Sequence, residues 1–315
     1  MNKLFRTLTL LVSVTLVVTS CSKDPVRPEW PLSAEIFYSV KGKQVAFQAL
    51  THSAVSWEWD FGNGVKSNDK NPVYVYPEGG YYKAVLTATD PSGSKVTQSV
   101  NLAIDLTPYA YLTGDPNSPG YAGKKWKLTS DHPSGGDYLA NANATFTTAS
   151  GTPRPLGAGI FDLQFGMGDI YKDEYTFRAD GSYSMDLKED GAVFGGLLYQ
   201  MVLSGGKDVI NNRAASFGLC IAKYTPPANS TFTYTATENL TIASVYGAGG
   251  QLTFNEVSTL KFSTGAFVGF RDFQSTVILR SISDNKMQLV MFMSGSQQAI
   301  GVNTHALILS FDAVK

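Results

Sequence analysis

The chain is poor in cysteine, histidine and charge, and each shortage removes a class of function. Two cysteines, Cys21 and Cys220, rule out a scaffold stapled by several disulfides. Three histidines, His52, His132 and His305, lie in separate regions, and no two have the spacing of metal ligands. Charged residues are 16% of the 315, the formal net charge is −1, and no basic run exists, which argues against a nucleic-acid partner. There is no G-x-S-x-G nucleophile elbow. The glycine-rich strings at 165–168 and 246–250 lack the following helix pattern that a phosphate cradle needs. The apolar run at 8–18 is shorter than the roughly 20 residues that span a bilayer.

What the chain has is glycine and aromatics, with 30 Gly, 18 Phe and 16 Tyr, a composition that suits an extracellular all-β protein. Lys3 and Arg6 ahead of the apolar run form a secretory signal. Its end, Val18-Thr19-Ser20-Cys21, resembles a bacterial lipoprotein box. That resemblance implies cleavage before Cys21, lipidation of Cys21, and a membrane anchor of acyl chains with the body outside the cytoplasm. Cys220 then stands alone, as a small buried hydrophobe in the apolar run at 217–222. Residues 22–32, with three prolines, read as a tether.

Residues 33–106 alternate as strands do. Val55, Trp57, Trp59 and Phe61 share one face against Ser56, Glu58 and Asp60, and a Gly-Asn-Gly turn follows at 62–64. The string WEWDFGNG at 57–64, with YPEGGYYKAVLTATD at 76–90, resembles the paired signature of the PKD domain. The family implies a seven-stranded immunoglobulin-like sandwich acting mostly as spacer or interaction module in surface glycan-handling proteins. Trp59 and Phe61 are expected in its core. Asn63 stands where the family commonly has Asp, which speaks against a cation at this turn.

Residues 107–124, rich in Pro, Gly and small polar residues, read as a linker, and 125–315 as a second domain. About ten strand patterns without a helical period suggest a larger jelly-roll-type β-sandwich. Met287–Met293 is apolar on both faces and so belongs in the middle of a sheet. The stretches at 173–186 and 259–289 resemble passages of the glycan-binding lipoproteins of Bacteroidota polysaccharide-utilisation systems. This resemblance implies a non-catalytic outer-membrane lipoprotein, exposed at the cell surface. It would capture an oligo- or polysaccharide and deliver it to an outer-membrane glycan transporter.

A sugar site needs aromatic faces for stacking and polar groups for directional bonds. Loop aromatics are the candidates: Tyr138, Phe161, Phe194, Tyr199, Tyr246, Phe270 and Phe273, with Asp131, Arg154, Arg271 and Asp272 as polar partners. The long segment at 130–172 is the most suspicious surface. No cofactor is expected; calcium at the acidic loop 169–174 would be structural. Two alternatives stand beside glycan binding. One is a structural or adhesive surface protein with a protein partner. The other is a divergent glycoside hydrolase drawing two carboxylates from residues such as Asp162, Asp169, Asp173, Glu256 and Asp272.

Overall fold

The structure is a computed structural model that describes residues 30–146 and 153–315. The signal segment, Cys21, most of the tether and residues 147–152 of the long segment lie outside the described residues. Contacts divide the chain into two compact units: Met1–Ser39, Val45–Tyr74 and Ala84–Val100 in the first, and Val40–Gln44, Val75–Lys83 and Asn101–Lys315 in the second.

Seven N-terminal strands make two sheets. They are β1 (Ser33–Lys41), β2 (Gln44–His52), β3 (Ser56–Asp60), β4 (Lys66–Ser67), β5 (Val73–Val75), β6 (Gly80–Thr89) and β7 (Lys95–Ile104). The orders are β1-β2-β5 and β4-β3-β6-β7. Alternation sets the core: Val45, Phe47 and Ala49 from β2 and Ala84, Leu86 and Ala88 from β6 are buried, while their sequence neighbours are more exposed. Trp59 and Phe61 are buried as expected, and the Phe47 ring packs on both at 5.0 and 5.4 Å. Asn63 has a structural task, donating from Nδ2 to the Tyr74 hydroxyl at 2.9 Å.

From Lys124 onward the described residues carry thirteen further strands. These are β8 (Lys124–Leu128), β9 (Tyr138–Asn141), β10 (Arg154–Pro155), β11 (Glu174–Phe177), β12 (Ser182–Asp186), β13 (Ala192–Gly196), β14 (Val209–Asn211), β15 (Leu219–Lys223), β16 (Ser230–Ala243), β17 (Gln251–Phe262), β18 (Thr276–Ile282), β19 (Lys286–Met293) and β20 (His305–Ala313). The all-β architecture stands as the sequence indicated. Strand order, which the sequence left open, is β10-β9-β20-β19-β18-β17-β16-β12-β11-β8, all antiparallel. Strand β8 then returns to β20 through Leu128 opposite Phe311, so the sheet closes on itself. The small sheet β13-β15-β14 adds Val193, Phe194, Leu219 and Ile221 to the apolar interior.

Both faces of the central strands are buried, as the apolar β19 requires. Leu289, Met291 and Met293 face the inner core with Trp126, Tyr175, Phe177 and Phe311. Val290 and Phe292 face an outer layer with Ile278, Ala306, Ile308, Leu240 and Ile242. Each such side chain contributes roughly 1.5–3 kcal/mol on burial.

One reading is extended and one corrected. Within the 107–124 linker span Pro108–Thr113 is helical, Leu112 lies in the inner core, and its carbonyl accepts from Trp126 Nε1 at 2.9 Å. The region after 125 is not free of helix. His132–Gly135, Ile160–Phe165 and Leu197–Ser204 are α-helical, each too short to display a 3.6-residue apolar period.

Candidate functional site

The site arises where the sheet parts. Strands β17 and β18 pair only from Thr259 opposite Ile278 to Lys261 opposite Thr276. Beyond that seam the β16–β17 hairpin bends away. Between Thr235–Thr259 and Glu238–Val257, β16 carries an extra residue; between Glu238–Val257 and Leu240–Phe254, β17 carries one. Bulges bend strands and raise their twist. Glu256 takes a φ of +53°, and its amide is held by Asn239 Oδ1 at 3.0 Å. Past the bend, Leu240, Ile242, Leu252 and Phe254 lie over the outer face of the central strands, with Phe254 packed at 5.4 Å on both Phe146 and Phe292.

The gap left between the parted strands is an open groove of about 820 Å³. One wall is residues 252–258 of β17, the other residues 278–281 of β18, with Asn143 to Phe146 and Gln288 completing it. The lining mixes an apolar floor (Phe146, Phe254, Leu252, Ile278) with a polar rim (Asn143, Thr253, Asn255, Glu256, Ser258, Ser281).

Arg280 is its cation. It falls at a register irregularity of β18, between Leu279 opposite Leu289 and Ser281 opposite Gln288. Its Nη1 donates to Gln288 Oε1 at 2.8 Å, and its guanidinium lies 5.7 Å from the Tyr138 ring centroid. Gln288 is itself fixed, because its amide nitrogen donates to Gly135 O at 2.7 Å, Asp137 Oδ1 at 3.0 Å and Ser310 Oγ at 3.2 Å. Asp137 in turn pairs at 2.8 Å with His132 Nδ1, and His132 Nε2 meets the Tyr171 hydroxyl at 2.9 Å. His132 and Asp137 are fully buried, so the chain of bonds is a scaffold with no access for substrate. Ser310 Oγ bonds Asp137 instead of the imidazole, so no nucleophile–base pair is made.

The sequence candidates disperse. Tyr138 is a buried strand residue under Arg280, and burial pushes its phenol up. Phe161, Phe194 and Phe270 are core rings, packed in series at 4.8 Å (tilted) and 5.1 Å (edge-on); they close the interior and offer no free face. Tyr199, Arg271 and Phe273 do come together, although far apart in sequence: Tyr199 meets Phe273 edge-on at 5.0 Å, and Arg271 is layered 5.0 Å from Tyr199 and 3.9 Å from Tyr224. Asp272 is buried there, with one oxygen on the Phe273 amide at 2.7 Å and the other without a partner; burial pushes its carboxyl up to about 7. Tyr246 and Arg154 are exposed and apart from these clusters, and exposed Asp131 accepts the Ser134 hydroxyl.

Among its described residues the suspected segment at 130–172 carries the helices His132–Gly135 and Ile160–Phe165, strands β9 and β10 and a single 3-10 turn at Gly168–Tyr171. The acids of the 169–174 loop are committed elsewhere: Asp169 pairs with Lys172, Glu174 with Lys125 and Lys188, and Asp173 is buried with its carboxyl pushed up to about 8 by desolvation and then by Asp190 and Asp186. Among the described residues no group of three or more His, Cys, Asp or Glu is placed to hold a metal. Cys220 is buried, and desolvation pushes its thiol up to about 12, which leaves it unreactive. Among the described residues no helix is long and apolar enough to cross a membrane.

Residues 38–104 match the PKD domain family. Over 63 residues the chain is 41% identical to the pre-pro-metalloprotease PrtV of Vibrio cholerae, a match covering 20% of this chain and 7% of that protein. Among solved structures, the PKD1 domain of Vibrio anguillarum Epp is 28% identical, with 25% of this chain and 99% of that one covered and a TM-score of 0.24. A structure described as showing the promiscuous specificity of carbohydrate-binding modules from the β-sandwich superfamily aligns over 91% of this chain and 93% of its own, at 14% identity and a TM-score of 0.26. The chain thus spans a small fraction of the curated protease it matches, and the shared part is the PKD domain.

Proposed function

We propose that this chain, which carries a PKD domain over residues 38–104, is a non-catalytic glycan-binding surface protein whose ligand lies in the split-sheet groove. The observation that carries the reading is the groove's composition, an apolar floor with half-buried Phe254 beneath a rim of amides, hydroxyls and one guanidinium. Sugars present the complement, apolar ring faces edged by hydroxyls. Glu256 is the only carboxylate among the described lining residues, whereas glycoside hydrolysis uses a pair across the bond. In this proposal the PKD domain is a spacer, Cys21 bears the lipid anchor at the outer membrane, and the captured glycan passes to a transporter. The sequence signals at 3–21 support the anchor.

The test is native electrophoresis of residues 22–315, with Cys21 removed, in gels cast with plant, fungal and host polysaccharides. Retardation by a glycan, abolished by Ser281→Trp, which fills the groove from an exposed strand position, is the expected result. Retardation that ignores Ser281→Trp would move the site elsewhere, and release of reducing sugar would overturn the non-catalytic reading.

One observation favours a second reading, a protein partner. Met201, Val202 and Leu203 of the helix Leu197–Ser204, together with Ile210 and Phe217, are exposed apolar side chains, and Met201 and Ile210 line one hollow of about 220 Å³.

A further inference from the structure

We infer that Arg280 makes the groove selective for glycans bearing a hexuronate carboxylate, an inference that rests on the glycan-binding reading of the groove. Among the described residues the guanidinium has no acidic partner. Ion pairs of the second unit engage Lys124, Lys125, Lys172, Lys188 and Lys286, and none reaches Arg280. A partly buried cation without counter-charge is costly, and the cost is relieved when an anion arrives.

The side chain is also held ready. One donor is bound to Gln288, whose orientation is locked by three acceptors, and the flat face lies toward Tyr138. A guanidinium has five N–H donors, and Arg280 uses one on a protein acceptor among the described residues. The strand irregularity at this residue fits its role, since bulges re-aim side chains beside binding sites. A planar fork held in place matches the two oxygens of a carboxylate. One cation suits one charge per ring, and Glu256 on the exposed rim opposes a more densely charged polymer such as a sulfated glycan.

The probes are polygalacturonate, the same polymer fully methyl-esterified, and dextran sulfate, run in affinity gels with the residue 22–315 protein alongside the neutral panel. Polygalacturonate should bind, and affinity should fall about 10- to 100-fold on esterification or in Arg280→Gln, the weight of a charge-assisted pair. Arg280→Lys, which keeps the charge and loses the fork, should fall between. The esterified polymer needs no variant, so misfolding of Arg280→Gln would leave the comparison intact. Equal binding of acid and ester, or binding of neutral glycans alone, overturns the selectivity and spares the glycan reading. Stronger binding of dextran sulfate than of polygalacturonate reassigns Arg280 to sulfate and overturns the uronate inference. Binding of no glycan at all overturns both.

Discussion

Arg271 and Arg280 lie nine residues apart on the same unit and both meet tyrosine rings, yet they sit in opposite circumstances. Arg271 is 9% exposed and lies over the rings of both Tyr199 and Tyr224, so its charge meets π-faces within the fold. Arg280 has one ring, one amide and an open groove. The lesson is that aromatic contact alone does not mark a binding arginine. What distinguishes the second is a polar support on one side and space on the other.

The sharpest way to break that comparison is stability. Arg271→Ala should cost about 2–3 kcal/mol, from two cation–π contacts and the packing of its stem, read as a lower urea midpoint. Arg280→Gln should stay within about 1 kcal/mol of the parent, as a half-exposed position usually does. Equal losses would mean that Arg280 is structural too. Next in size is a pH effect beside Arg271. The Asp272 carboxyl titrates at about 7 in the fold and at about 3.9 when unfolded, so between those values the folded state binds a proton that the unfolded chain has released. Stability should therefore fall as pH rises from about 4 to about 7, with Asp173 extending the decline to about 8. Asp272→Asn should flatten part of that slope in urea titrations at stepped pH. The smallest effect belongs to the groove rim. Glu256→Gln should raise polygalacturonate affinity about twofold at low salt, and the gain should fade as salt is added.

The N-terminal sandwich was legible because its core is written in period two: Trp59 and Phe61, Val45 to Ala49, Ala84 to Ala88. The groove was not, because its geometry comes from bulges and from strands that stop pairing. Arg280 reads in sequence as an ordinary polar position of a strand, and nothing in spacing reveals the extra residue that aims it. The loop aromatics misled for a related reason. Glycine around Phe194 signals close approach instead of exposure. A Cβ on Gly196 would stand 1.9 Å from Asp272 Oδ2, so the bare backbone is what lets the segment carrying Asp272 reach β13 and leaves Phe270 against Phe194. In sequence Glu256 is one of many scattered carboxylates; its positive φ is visible only in three dimensions.

The long β16–β17 hairpin is tied into its ring by slender seams, two register pairs to β12 on one side and three to β18 on the other. In mechanical terms it is a leaf. Under load, or in the rare openings that hydrogen exchange detects, the ring should part along these seams before the eight-pair β19–β20 ladder gives way. The wall of the groove would then swing with the leaf, so the residues that grip a ligand also decide how readily the ring comes apart, and an occupied groove would act as a clasp across the β17–β18 seam.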